Sequence, residues 1–142
     1  MTASLLLDTH IALWLENGDE RLRPVTLALI EQCWRDGGTI LLSAISVWEI
    51  AQLIHAGRIM LDRPLKNWVA QFIDRPGVDI VSLSHGAAMG AYQLQDLDHR
   101  DPADRLLIAS AIERICPLVT YDERIIRFSA LYGVRYAFKT ES

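Results

Sequence analysis

Short apolar runs alternate with longer segments of helical period along most of the chain. The runs are rich in Leu, Ile and Val, and their length and polar or glycine boundaries are typical of buried strands. They predict five strands, at Ser4 to Leu7, Thr39 to Leu42, Asp79 to Ser82, Leu118 to Thr120 and Val134 to Phe138. Segments with apolar residues three and four positions apart predict six helices, at Pro24 to Arg35, Ser46 to His55, Leu65 to Ile73, His85 to Leu94, Pro102 to Ile115 and Asp122 to Leu131. This alternation predicts an α/β fold, with helices around a mainly parallel sheet of about five strands.

Length and composition indicate one folding unit without membrane segments. The 142 residues are 51% hydrophobic and contain no repeat or linker-like stretch, so we expect a single domain over residues 1–142. Cys33 and Cys116 lie far apart with no ligand-spaced partners, which favours a reducing, cytoplasmic setting over a disulfide framework or zinc site. No apolar run approaches the about 20 residues that span a bilayer. We therefore expect an intracellular protein without membrane association.

The net charge of -4 argues against nucleic-acid binding by a broad basic surface. A phosphate-rich partner would then require a metal ion or a local arginine cluster. The four histidines lack metal-ligand spacing, and among them His10 lies nearest to a candidate acid, Asp8. The tryptophans occupy apolar helical positions that predict core packing rather than base stacking, and they are Trp14, Trp34, Trp48 and Trp68.

Five carboxylates follow a predicted strand or begin a predicted helix, and they are Asp8, Glu49, Asp101, Asp104 and Asp122. Carboxyl ends of parallel strands share one edge of a sheet, so these side chains can converge although they are distant in sequence. Lysine occurs only at positions 66 and 139, and converging carboxylates without a cation would repel one another. Mg²⁺ takes oxygen ligands and is often held by carboxylates together with substrate phosphate. The pattern therefore predicts a metal site that acts on a phosphate compound.

Helix capping explains the same acids without any catalysis. Aspartate is a favoured N-cap, Ser46-x-x-Glu49 has the form of a capping box, and Asp101 precedes a proline at the first helical position. A non-catalytic interaction module thus stays open as an alternative function. An aspartate-dependent phosphatase or phosphoacceptor domain is a further alternative, although Asp8-Thr9-His10 lacks the second aspartate that such phosphatases use as acid.

Four sequence strings together resemble the PIN-domain ribonuclease toxins of the VapC type, from bacterial toxin–antitoxin pairs. The strings are LLDTHIALW at 6–14, LSAISVWEI at 42–50, HRDPADRLLIA at 99–109 and LVTYD at 118–122. Each string alone is weak, but their order and spacing are specific and extend over nearly the whole chain. The resemblance implies a three-layer α/β/α domain, in agreement with the fold predicted above.

The resemblance also implies an acidic site whose four catalytic carboxylates are Asp8, Glu49, Asp104 and Asp122. In this reading Asp8 and Asp104 bind Mg²⁺ or Mn²⁺, and a metal-oriented water hydrolyses an RNA phosphodiester bond to leave a 5′-phosphate and a 3′-hydroxyl. The residues implied to support this site are Asp101 acting through water, Thr9 and Thr120 as hydroxyl partners, and Arg100 and Arg105 as contacts to RNA phosphates.

The implied partners are an RNA substrate, a cognate small antitoxin protein and a second copy of the chain in a homodimer. An antitoxin of this class places a basic side chain among the carboxylates, where it would replace the cation.

Overall fold

The computed structural model describes residues 4–94 and 101–132, and these residues contain a parallel four-stranded sheet in the order β3-β2-β1-β4. The strands are β1 (Ser4–Leu7), β2 (Thr39–Ser43), β3 (Val78–Val81) and β4 (Leu118–Val119). The prediction of an α/β fold with a parallel sheet is confirmed. The fifth strand that we predicted, Val134 to Phe138, lies outside the described residues.

Seven α-helices and a 3₁₀ turn complete the described part of the chain. They are α1 (Thr9–Asn17), α2 (Pro24–Arg35), α3 (Ala44–His55), α4 (Leu65–Ile73), α5 (His85–Gly90), the 3₁₀ turn (Ala91–Gln93), α6 (Pro102–Arg114) and α7 (Glu123–Tyr132). Six of the helices occur where the apolar period predicts them. Helix α1 was not predicted, because it begins two residues after the last residue of β1 with no intervening loop.

Alternate residues of β1, an inner strand, belong to two different cores on opposite faces of the sheet. Leu5 and Leu7 of β1 belong to a core that also contains Ile11 of α1 and Trp68 of α4, whereas Leu6 belongs to a second core with α6 and α7. Successive side chains of a strand point to opposite faces, so this alternation requires apolar cover on both sides of the sheet. The molecule is therefore layered as α/β/α, as the resemblance implied.

Helix starts gather at the carboxyl edge of the sheet because α1 and α3 each follow a strand directly. The Asp8 carboxylate accepts from Thr9 N at the start of α1, and Ser43 Oγ accepts from Ile45 N at the start of α3. Helix α3 thus begins at Ala44, and the capping box that we predicted from Ser46 and Glu49 is wrong. Those two residues lie inside the helix, where their side chains are available for other contacts.

The start of α6 agrees with the sequence prediction. Asp101 Oδ1 accepts from Ala103 N at 2.9 Å and from Asp104 N at 3.2 Å, with Pro102 in the first helical turn. This capping places Asp104 one turn from Asp101, at the amino end of the helix.

Core packing of all four tryptophans was predicted, and the structure contradicts it for Trp48. Trp68 is fully buried, and Trp14 and Trp34 are partly buried against the first core. Trp48 is 55% exposed because the buried positions of α3, Ser46 and Ile50, lie on the opposite side of the helix. Of the helices in the described ranges, none combines the length and the apolar character needed to cross a membrane.

Candidate metal centre

A pocket of about 180 Å³ at the carboxyl edge of the sheet brings together four predicted carboxylates, those of Asp8, Glu49, Asp104 and Asp122. Asp8 follows β1, Glu49 lies in α3, Asp104 lies in the first turn of α6 and Asp122 follows β4. Thus four segments that are remote in sequence each contribute one acid. The crevice at the ends of parallel strands has this property in open α/β sheets generally.

Asp8 is held firmly by its neighbours. It is 3% exposed, its Oδ1 accepts from Thr9 N at 2.8 Å, and its Oδ2 accepts from the Thr120 hydroxyl at 2.7 Å. Thr120 Oγ1 in turn accepts from Asp122 N at 3.0 Å. One threonine therefore links the two strand-end acids, and the donors leave further lone pairs on Asp8 for a cation.

Glu49 is oriented by the residue that follows Asp8. The Thr9 hydroxyl donates to Glu49 Oε1 and lies 2.9 Å from Ser46 Oγ, which is fully buried. Burial raises the pKa of Glu49, the Thr9 hydrogen bond lowers it in part, and the charges of Asp8 and Asp101 raise it further. The side chains of the supposed capping box thus form a buried polar link between α1 and α3.

Asp104 has the most strongly perturbed carboxyl group of the pocket. Burial is the main cause that raises its pKa to about 8, and the neighbouring negative charges of Asp8, Asp101, Glu49 and Asp122 raise it further. A carboxylate in such surroundings is stabilised either by a proton or by a cation.

The described residues also contain an acidic cluster able to bind a metal ion, formed by Glu49, Asp101 and Asp104. One ligand oxygen from each of these three residues lies within 4.8 Å of the others. The donor set consists of carboxylate oxygens, which fits a hard divalent cation. Asp101 was predicted as a supporting residue that could act through water, and the structure brings its carboxylate beside those of Glu49 and Asp104. Asp8 and Asp122 line the same pocket outside this closest group.

Of the two arginines predicted to contact RNA, Arg105 does not line the pocket. Arg105 Nη1 donates to Ala91 O at 3.0 Å and to Leu94 O at 3.5 Å, so this side chain ties the 3₁₀ turn to α6. Arg100 lies outside the described residues.

His10 also lines the pocket, although no site role was predicted for it from the sequence. Its Nε2 accepts from Tyr121 N at 3.2 Å, and its Nδ1 lies 3.5 Å from Asp8 Oδ2. An acceptor role for Nε2 requires the proton on Nδ1, which faces the Asp8 carboxylate. The position of His10 two residues after Asp8 was the available signal. Ser46 was singled out in the sequence only as a helix cap, and its contact with Thr9 was not predicted.

The chain belongs to the PIN domain family, whose sequence profile matches residues 5–131. It is 34% identical over 122 residues to Ribonuclease VapC22 of Mycobacterium tuberculosis, an alignment that covers 86% of this chain and 89% of that protein. The family assignment from the four sequence strings is thereby confirmed.

Solved structures show the same fold at lower identity. VapBC2 from Rickettsia felis, bound to a DNA fragment from its promoter, matches with a TM-score of 0.68 and 17% identity, covering 96% of this chain and 99% of that chain. The FitAcB structure from Neisseria gonorrhoeae matches with a TM-score of 0.54 and 20% identity, covering 96% of both chains.

Proposed function

We propose that this protein is the toxin of a type II toxin–antitoxin pair and acts in the cytoplasm as a Mg²⁺-dependent endoribonuclease. The observation that carries the proposal is the convergence of Asp8, Glu49, Asp104 and Asp122 in one pocket at the carboxyl edge of the sheet. The name of the M. tuberculosis relative, a ribonuclease, supports the same activity.

Within this proposal, Asp8 and Asp104 bind the divalent cation, Mg²⁺ or Mn²⁺, and Glu49 and Asp122 complete its surroundings. When bound, such a cation lowers the pKa of a coordinated water and stabilises negative charge on the phosphoryl oxygens. Thr9 and Thr120 orient the carboxylates around the cation. The Thr9 hydroxyl donates to Glu49, and the Thr120 hydroxyl donates to Asp8.

The raised pKa of Asp104 also couples cation binding to protonation of this residue. With a pKa of about 8 its carboxyl group would hold a proton at neutral pH without a cation, and a bound cation would favour the deprotonated form. Cation binding is therefore coupled to pH, and acid conditions weaken it.

The proposed partners are an antitoxin protein and a second copy of the chain. The structurally similar VapBC2 of Rickettsia felis is bound to a DNA fragment from its promoter, which supports an antitoxin partner here. An antitoxin arginine or lysine among the four carboxylates would occupy the place of the cation and so suppress cleavage.

The proposal is tested by incubating the purified chain with a mixed RNA substrate in Mg²⁺ or Mn²⁺ and then in EDTA. We expect cleavage only with the metal. Asp8→Asn and Asp104→Asn should each lower the rate by more than about 100-fold, since even residues that only support metal ligands cost 10- to 100-fold. Asp79→Asn is a matched control, because Asp79 is exposed on β3 and lies outside the pocket.

The alternative functions have distinct outcomes in the same experiment. Folded wild type that binds Mn²⁺ but cuts no RNA would contradict the ribonuclease proposal and favour an interaction module. A phosphorylated Asp8, trapped as the acyl-phosphate, would favour the phosphatase class. The PIN family membership favours neither of these alternatives.

A further inference from the structure

A second cleft, of about 480 Å³, adjoins the acidic pocket and shares with it the side chains of His10, Leu13 and Leu53. It extends away from the carboxylates along the carboxyl half of α1, towards the segment 58–61 that follows α3. Its volume is within the range of about 300–1,000 Å³ of small-molecule sites. A nucleotide whose phosphate lay at the acidic pocket would have this cleft beside it.

The end of α1, which contributes Asn17 to this cleft, is held in place by polar contacts. Both carboxylate oxygens of Glu16 form ion pairs, with Arg63 at 2.6 Å and Arg75 at 2.7 Å, and the Glu16 side chain is 5% exposed. The next residue, Asn17, accepts from the indole N–H of the fully buried Trp68 at 3.0 Å. The cleft is thus formed before any ligand binds, which lowers the entropic cost of binding.

Asn17 carries a hydrogen-bond donor in a defined orientation. An indole N–H can only donate, so Asn17 must turn its oxygen towards Trp68 and its amide nitrogen away from it. Within residues 4–94 and 101–132 that amide nitrogen has no hydrogen-bond partner, and Asn17 lines the cleft. Asparagine reads base edges in this way in protein–nucleic acid complexes.

The remaining wall combines aromatic groups with two arginines, of which Arg21 is paired with Asp19 of the same wall at 2.7 Å. Trp14 lies with its ring 5.1 Å from that of His10 and with the Arg21 guanidinium 5.0 Å above its centroid. Arg58, an exposed residue, lines the same cleft. Aromatic surface with arginine at its rim is the chemistry that binds single-stranded RNA, by contact with bases and by attraction of phosphates.

From these contacts we infer that the cleft binds one base of the RNA, adjacent to the bond that is cut, and that Asn17 donates to the edge of this base. The inference rests on the proposed ribonuclease function and makes Asn17 a specificity-determining residue. Arg58 contributes charge without sequence preference, since a phosphate contact is the same for every base. An RNA occupant is favoured over a peptide because the cleft opens onto the proposed phosphate site and carries the exposed cation of Arg58.

The test uses an RNA pool with randomised bases around the cut, and the cleaved ends are sequenced. Wild type should prefer one base or base class at a flanking position. Asn17→Asp keeps the oxygen that Trp68 requires but replaces the donor with an acceptor, so that preference should fall about 5- to 100-fold. Asn67→Asp is the matched control, because it adds the same charge at an exposed position of α4 outside the cleft and should preserve the preference.

The variant Arg58→Ala tests the contribution of positive charge to RNA binding separately from recognition of the base. Binding of a short RNA in EDTA should weaken for all sequences alike, and the slope of log affinity against log salt should fall by about one.

The outcomes distinguish this inference from the function on which it rests. If wild type cuts RNA with metal but Asn17→Asp retains the same base preference, the inference is overturned and the ribonuclease proposal stands. Wild type without any flanking preference would also overturn it, and a peptide would become the occupant to test. If wild type cuts no RNA with metal present, the proposed function itself fails.

Discussion

Two opposing effects act on the carboxyl group of Asp104. The amino end of α6 favours a negative charge by about 0.3–1 kcal/mol. Burial and four neighbouring acids disfavour that charge and raise the pKa from its ordinary 3.8 to about 8. Since each pKa unit corresponds to about 1.4 kcal/mol, the helix end offsets only a small part of the penalty. An acid that served only to stabilise the start of a helix would not have so high a pKa.

A pH dependence of stability follows from the raised pKa of Asp104. Between about pH 4 and pH 8 the folded state holds a proton here that the unfolded state has released, so the free energy of unfolding falls as pH rises. One proton sets a limit of about 1.4 kcal/mol per pH unit, and partial solvent contact of this half-buried side chain reduces it. Urea unfolding of wild type and Asp104→Asn in EDTA, from pH 5 to pH 8, measures the effect.

The comparison of the two proteins cancels the titration of groups that do not interact with Asp104. We expect Asp104→Asn to be the more stable protein at pH 8 and the difference to shrink towards pH 5. Parallel curves for the two proteins would show that the Asp104 carboxyl group titrates normally in the apo state.

The site residues differ in how far the sequence could predict them. Asp8 and Asp122 follow short apolar strands, so their place at the sheet edge could be inferred from local pattern. The contact of Thr9 with Ser46 and Glu49 could not, because it depends on how α1 packs against α3. The same uncertainty made Ser46 and Glu49 look like a capping box.

Element boundaries depend on which polar side chain reaches a free backbone N–H. Ser43 and Ser46 both precede apolar helical positions, and only Ser43 has extended backbone angles that let its hydroxyl accept from Ile45 N. Helix α1 was missed for a related reason, since Asp8 ends a strand and caps a helix at once. A residue that serves two elements leaves no loop signal in the sequence.

Helix α2 begins without a side-chain cap of its own, and a distant tyrosine contacts its first turn. The Tyr121 hydroxyl accepts from Arg23 N at 3.0 Å and lies 2.6 Å from Thr26 Oγ1. The Arg23 guanidinium also lies 5.4 Å from the centre of the Tyr121 ring. The residue between Thr120 and Asp122 therefore joins the acidic site to the start of α2.

Removing this hydroxyl should destabilise the protein without removing the ring. For Tyr121→Phe we expect a loss of about 1–2 kcal/mol in the free energy of unfolding, as for a lost helix cap. Tyr92→Phe is the control, because Tyr92 is 81% exposed and should change stability by less than about 0.5 kcal/mol. Equal urea midpoints for the two variants would mean that the Tyr121 hydroxyl contributes nothing to the start of α2.

At the scale of the whole molecule, the strand order assembles the site. β1 lies between β2 and β4, which places Asp8 beside Thr120 although 112 positions separate them in the chain. The period of apolar residues predicts strands and helices but contains no information on which strands are neighbours. Parallel strands and their crossovers bring the acids to one edge, and the resemblance to a known family was needed to select four of them.

Metal binding should be visible as stabilisation of the entire fold. A ligand that binds only the folded state at 100 times its Kd adds about 2.7 kcal/mol, or about 6–10 °C in Tm for a domain of this size. Because a proton on Asp104 competes with the cation, we expect Mn²⁺ to raise Tm more at pH 8 than at pH 6. Asp8→Asn and Asp104→Asn should abolish the shift. Asp101→Asn, which still caps α6, should retain part of it. Equal shifts in wild type and Asp104→Asn would place the cation outside the acidic pocket.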